Sequence, residues 1–251
     1  MILDEDVRQF FRGNEDKPGT FGGGGSLQIY RGKPQSLWQD AHPGGCTRHL
    51  IVFNKTRVIP RFCFDCYKIL IEPRTVVELF KLLMVFERIA LPDDNSRKCM
   101  IEGREDSSGA YKGFIYCRSI KEGKKVLDIM QKVVADEVSP DIPVVLKRGC
   151  SEYTAAYPMY SPSEPGVKPM EYNKAWQAYE DLIDSNLNIT EKGPAVVNAG
   201  DDIVYTPAEI FAMHYWLRYA ATIGDKSYLK LTDREVLPIP QLKRPPFVGA
   251  G

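Results

Sequence analysis

Cys46-Thr-Arg-His49 and, thirteen residues further on, Cys63-Phe-Asp-Cys66 are two close-spaced pairs of soft metal ligands. Two residues between the members of a pair allow a tight turn that aims both at one point, and a tetrahedral zinc ion bound by three thiolates and one imidazole takes two such pairs. The spacer, rich in Ile, Val and Phe around Asn54-Lys55, is long enough for a hairpin that brings the two turns together. Cys46, His49, Cys63 and Cys66 are therefore the candidate metal ligands and zinc the candidate cofactor, on one condition. Residues three apart in a β-strand point to opposite faces, so the second pair can share an ion only through a knuckle at Phe64-Asp65, with the strand starting near Tyr67. A strand running straight from Phe62 makes the same thiols part of a β-rich core, where free cysteine is commonly buried.

Cys63-x-x-Cys66 also has the spacing of a dithiol redox couple. Such couples sit at helix N-termini, whereas Tyr-Lys-Ile-Leu-Ile follows here and reads as a strand. Cys99, Cys117 and Cys150 fall one each on three further expected strands, which leaves open a thiolate cluster for iron and sulfide or simply buried structural thiols. Catalytic signatures are thin. Of the histidines His42, His49 and His214, none sits in a nucleophile elbow, a zincin helix or a phosphate loop. His214 lies among Phe211, Tyr215 and Trp216, as a packing residue or a general base. Asp201-Asp202 offers paired carboxylates for a divalent cation or for water. Arg148, Cys150 and Glu152 form a polar edge at the end of the last strand, but cysteine chemistry needs a base that the sequence does not place. Arg148, Cys150 and His214 are the catalytic candidates of an enzymatic reading.

A second constellation is Lys112-Gly-Phe-Ile-Tyr-Cys-Arg118. A period of two puts Lys112, Phe114, Tyr116 and Arg118 on one strand face. The segment resembles the strand signature of the RNA-recognition motif at Lys112, Gly113, Phe114 and Tyr116, and departs from it at Ile115, Cys117 and Ser119. The resemblance implies bases stacked on Phe114 and Tyr116, with Tyr67 or Phe64 as the matching aromatic of the first strand. The same alternation also describes an ordinary core strand.

The elements that must position these residues follow from periodicity and caps. Phe62 to Ile71, bounded by Pro60 and Pro73, reads as a strand. Thr75-Val-Val-Glu78 and Ser119-Ile-Lys-Glu122 are capping boxes that open helices ending near Pro92 and Pro140. Lys98 to Arg104 and Ala110 to Arg118 read as strands joined through Asp106-Ser-Ser-Gly, and Ile142 to Arg148 as a last strand reaching toward Tyr153. The order β-α-β-β-α-β over about 62–155 resembles the ferredoxin-like superfold, which implies a four-stranded antiparallel sheet with both helices on one face. That fold serves enzymes, regulatory modules and RNA binders alike.

The fold class expected is thus α+β, with four segments. Residues 1–45 form an extended Gly/Pro-rich arm, including the linker-like run Gly22 to Gly25, and 46–156 the ferredoxin-like core with the metal knuckle. Residues 157–236 form a helical extension packed on that core, with helices over Glu171 to Ser185 and from the capping box Thr206-Pro-Ala-Glu209 to Gly224. Residues 237–251 form a proline-rich tail.

Composition bounds the function. With 33 basic and 33 acidic residues in 251, no global field steers the chain to nucleic acid or an anionic membrane. Locally, Cys46 to Thr75 holds six basic residues against two acidic, and Arg97 to Lys125 eight against four, whereas Glu171 to Glu235 holds six against eleven. No window reaches the apolar length of a membrane helix, and six cysteines are too sparse for a disulfide scaffold, so the expected setting is cytoplasmic, without membrane partners. The function expected is a binding module with a structural zinc site and a partly basic sheet face for nucleic acid or another ligand, with protein as a further partner. The alternatives are an enzyme with a pocket between the sheet and the C-terminal helices, and an interaction scaffold using the proline-rich tail.

Overall fold

Apolar residues at alternate positions build five strands, and side-chain oxygens start three of the helices between and after them. In the computed structural model, which describes residues 27–32, 45–103, 108–162, 166–186, 205–232 and 234–236, the elements are β1 (Gln28–Arg31), α1 (Gly45–Thr56), β2 (Tyr67–Ile71), α2 (Val76–Arg88), β3 (Arg97–Ile101), β4 (Tyr111–Cys117), α3 (Ile120–Glu137), β5 (Val144–Arg148), α4 (Ser151–Ala156), α5 (Gln177–Asp184) and α6 (Pro207–Ile223). The glycine run Gly22 to Gly25, His42, Asp106, Asp201-Asp202 and the tail 237–251 lie outside the described residues.

Thr75, Ser119 and Thr206 each accept a hydrogen bond at 3.2 Å from the amide three residues on, capping α2, α3 and α6. Only Thr206 and Glu209 close the reciprocal box. Glu78 and Glu122 reach one residue further back, to the amides of Arg74 at 2.7 Å and Arg118 at 2.6 Å. Gly224, at φ 81°, ends α6 in the left-handed conformation.

The strands form an open antiparallel sheet in the order β1-β3-β4-β2-β5. The chain is thus of mixed α+β class. One sheet face, carrying Ile29, Ile69, Ile71, Cys99, Ile115 and Cys117, packs with Leu79, Leu82 and Phe86 of α2, Val126 and Met130 of α3 and Trp216 of α6 in a single core. Gly113 sits at the closest approach. A Cβ there would run into Leu82 and come 3.3 Å from Phe86, so its absence lets α2 lie flat on β4.

Five segments differ from the sequence reading. The spacer after Cys46 is helix α1 and not a hairpin. Its buried residues Arg48, His49, Val52 and Phe53 recur at helical spacing, and two of the four are polar. The strand read from Phe62 starts at Tyr67, because Arg61–Phe64 is a 3-10 turn. The last strand stops at Arg148, where Gly149 at φ 51° turns the chain into α4. From the arm, Gln28–Arg31 joins the sheet as its fifth strand, and the expected helix over Glu171 to Ser185 is a 3-10 turn Lys174–Trp176 leading into α5.

Charged groups pin these pieces from inside. Arg31 on β1 is fully buried and donates to Glu87 of α2 at 2.9 Å and to Glu209 of α6, so one guanidinium ties three elements. Asp225, beyond α6, accepts from the Val76 amide at 2.7 Å, the Tyr111 hydroxyl at 2.7 Å and the Ser227 amide at 2.9 Å. Burial pushes its carboxyl up, but the bonds from Tyr111, Ser227 and Val76 outweigh it and hold the group below its ordinary 3.8. A carboxyl depressed in the folded state contributes stability that is complete above its ordinary range and is lost as pH falls through the depressed value. Asp225→Asn is therefore expected to be less stable than the wild type in urea at neutral pH, and the gap should close as pH falls below the ordinary 3.8 and through the depressed value. A gap of the same size in acid would contradict this linkage.

Candidate metal and nucleic-acid sites

Pro60 fixes the entry to the Cys63/Cys66 segment. The Cys63 amide donates to the Pro60 carbonyl at 2.9 Å, Asp65 to Phe62 at 3.2 Å and Cys66 to Cys63 at 3.3 Å, so a turn separates the two thiols and β2 begins one residue later. This is the local geometry that a shared ion demands. Arg148 fastens the knuckle to the end of β5. Its Nε and Nη2 donate to the Phe64 carbonyl at 2.9 and 2.8 Å, its Nη1 donates to the carbonyls of Tyr160 and Met170 at 3.0 and 2.8 Å, and its guanidinium lies 5.0 Å from the ring centres of Phe64 and Tyr160. The catalytic candidate Arg148 is thus engaged in holding backbone.

The Gly149 amide donates to the Cys66 carbonyl at 2.8 Å, which sets Cys150 beside the knuckle. Cys150 packs against the cluster of Phe53, Cys63, Phe64, Tyr153 and Tyr160. Cys46 is exposed in the first turn of α1. His49, one turn on, is buried with its ring stacked on Phe62 at 5.5 Å and 17°. The Cys63 thiol donates to the Tyr153 hydroxyl at 3.5 Å. Burial pushes the Cys63 thiol far up; Cys66, Cys150 and Cys46 push the same way, and only the bond that the Tyr153 hydroxyl would donate to the thiolate opposes them. Burial likewise raises Cys66, with Cys46 and Cys150 adding to it and Lys68 opposing. Cys99 and Cys117 point into the main core. Among the described residues no three His, Cys, Asp or Glu side chains already stand as a metal-ligand group.

The second site is the sheet face turned away from α2, α3 and α6. Pairing of Tyr116 with Lys68 and of Phe114 with Leu70 and Lys98 puts Lys112, Phe114 and Tyr116 on that face together with Lys68, Lys98 and Tyr30. The Phe114 ring has the Lys68 ammonium 5.2 Å and the Lys98 ammonium 5.5 Å from its centre, and Lys98 is also 5.5 Å from the Tyr30 ring. Tyr30 is 44% exposed, while Lys112 is buried in an ion pair with Glu102 at 3.4 Å. Arg118 lies just past β4 and pairs with Asp93 at 3.2 Å. Neither expected first-strand aromatic reaches this face. Phe64 is buried with Tyr160, Tyr172 and Trp176, and the Tyr67 Cβ faces Gly123 of α3. Tyr30 of β1 stands there instead, from a segment that the sequence reading assigned to the arm; its alternation in Ser-Leu-Gln-Ile-Tyr was the available signal.

The enzymatic candidates are not brought together. Cys150 follows β5 and α6 packs on β1, the two opposite edges of a five-stranded sheet about 19 Å across. His214 is exposed on α6. An open depression of about 290 Å³ at the start of α3 mixes Arg118, Lys121 and Lys125 with Asp93 and Glu122, and no residue of α5 or α6 lines it. Among the described residues no helix is long and apolar enough to cross a membrane. No family model, curated protein or solved structure matches the chain.

Proposed function

We propose that the chain is a nucleic-acid-binding module that lays a single RNA strand across the open face of a ferredoxin-like sheet. The succession β-α-β-β-α-β over β2 to β5, with β4 and β2 as central neighbours, supports that fold. The observation that carries the binding reading is Phe114 between the ammonium groups of Lys68 and Lys98, with Tyr30 beyond Lys98. Single strands need aromatic planes for bases and cations for the phosphates between them, and this ladder alternates the two. Lys112, held by Glu102, shapes the floor, and Tyr116 extends the aromatic row toward the thiols.

The test is a fluorescence anisotropy titration with single-stranded RNA of about ten nucleotides at several salt concentrations. Phe114→Ala and Tyr30→Ala are each expected to weaken binding by about five- to a hundredfold. Lys68→Gln and Lys98→Gln should each flatten the dependence of affinity on salt by about one ion. Folded Phe114→Ala protein that binds as the wild type does would overturn the stacking model.

A further inference from the structure

We infer that Cys46, Cys63, Cys66 and Cys150 together hold one zinc ion, so that the fourth donor is a thiolate from the end of β5 and not the imidazole of His49. The inference goes beyond the nucleic-acid reading and does not depend on it. Six thiols divide into two groups. Cys99 and Cys117 are each buried among aliphatic side chains on the helix-covered face, where ordinary packing explains them. The other four come from three separate stretches of chain that the backbone brings toward one end of the sheet, with no three of the side chains already standing as a ligand group.

The convergence rests on backbone geometry. The turn Cys63-Phe64-Asp65-Cys66 closes with the Cys66 amide on the Cys63 carbonyl. Pairing of Tyr67 with Arg148, and the Gly149 to Cys66 bond, bring Cys150 alongside it. The Cys63 thiol reaches Tyr153, whose amide donates to the Cys150 carbonyl at 3.2 Å. Helix α1 is held against this group by Phe53 on Tyr153 at 4.8 Å, which delivers its first turn and Cys46. Burial, then Tyr30, then Cys46, Cys150 and Cys66 raise the Tyr116 hydroxyl, which goes with thiols near this end of the open sheet face. Closing a tetrahedron requires thiol rotations, chiefly of Cys63 away from the Tyr153 hydroxyl.

The chemistry suits zinc. Four thiolates from two short turns and a helix start form a closed, structural type of site, with no position left for a reacting water. Binding releases the four thiol protons to solvent and leaves a net charge of −2 on the centre, which Lys68 beside Cys66 and Arg148 behind the knuckle offset. Arg148 on the Phe64 carbonyl and Tyr160 on the Cys63 carbonyl at 2.6 Å supply the outer support that ligand turns require. His49 lies one turn on from Cys46 on the same side of α1, and its ring is stacked on Phe62.

The full chain, purified without chelator, is expected to carry about one zinc. Cys63→Ser and Cys150→Ser should lose most of it, whereas His49→Gln and Cys117→Ala should keep it. Cobalt substitution guards against a trivial loss through unfolding. The folded wild-type and His49→Gln proteins should show the same strong thiolate-to-cobalt charge-transfer band, and Cys150→Ser, with its fold checked by circular dichroism, should show a weaker one. Loss of metal from His49→Gln with retention in Cys150→Ser would overturn the ligand set. A metal-free wild type that takes up neither zinc nor cobalt, or one containing iron and sulfide, would overturn the zinc assignment. None of these readouts involves nucleic acid, so the two proposals stand or fall separately.

Discussion

Glu180→Ala is expected to destabilise the chain by about 3–5 kcal/mol, the range for removing one partner of a buried ion pair. Glu180 is 1% exposed and serves three donors. One carboxylate oxygen accepts from Arg48 of α1 at 2.6 Å, and the other from the Arg61 amide at 2.8 Å and the Tyr172 hydroxyl at 2.9 Å. Truncation leaves Arg48 in the interior with part of its charge uncompensated, and the first amide of the knuckle turn without its acceptor. Asp184 makes the sharper comparison. It binds the same guanidinium through two oxygens, at 2.8 and 2.6 Å, yet its side chain is 37% exposed, so water replaces much of what Asp184→Ala removes. Urea denaturation of both variants should therefore rank Glu180→Ala well below Asp184→Ala in stability; the reverse order would refute the buried-clamp reading. Because Glu180 joins α1, which bears Cys46, to the turn that bears Cys63, its loss should also speed reaction of the thiols with a thiol reagent.

This clamp shows why α1 was hidden in the sequence. Thr75, Ser119 and Thr206 announce their helices because a cap acts on its own next turn, and such local signals survive in a string of letters. In Gly45–Thr56 the inward positions include Arg48 and His49, so the hydrophobic stripe is broken, and Ile, Val and Phe lean toward strand. What makes the segment helical is distant in sequence: Glu180 and Asp184 for Arg48, Tyr153 for Phe53. The candidate sites divide in the same way. Phe114 and Tyr116 share a face by simple alternation and were legible. Tyr30 needed β1 to pair with β3, and Cys150 needed Gly149 to bend the chain back on Cys66; neither pairing is written near the residue it positions. The knuckle lies between these cases. Spacing reduced it to a choice between a turn at Phe64-Asp65 and a straight strand, and Pro60 with Arg148 on the Phe64 carbonyl goes with the turn.

Gly149→Ala is the second large effect, expected at about 3 kcal/mol or more. At φ 51° an L-residue pays roughly 1–2 kcal/mol for the left-handed conformation alone. The added Cβ would also overlap the Tyr160 hydroxyl and lie 2.7 Å from its Cζ, a distance that real Cβ atoms do not adopt. Tyr160 is buried, donates to the Cys63 carbonyl at 2.6 Å and meets Phe64 and Tyr153 edge to face, so it has no free direction in which to yield. Gly166 separates the two contributions. Its φ is 85° but nothing lies within 4 Å of its virtual Cβ, so Gly166→Ala should show only the conformational strain. The oxygen's part of the clash is isolated by Tyr160→Phe, which removes the overlapped oxygen, though not Cζ, at the expense of one hydrogen bond. In the double variant Gly149→Ala/Tyr160→Phe the losses should sum to clearly less than those of the single variants, since residues in contact couple. Strict additivity would mean that the chain at Gly149 moves away as a unit, carrying Cys150 from Cys66, and the thiol reactivity of Gly149→Ala would then rise toward that of Glu180→Ala.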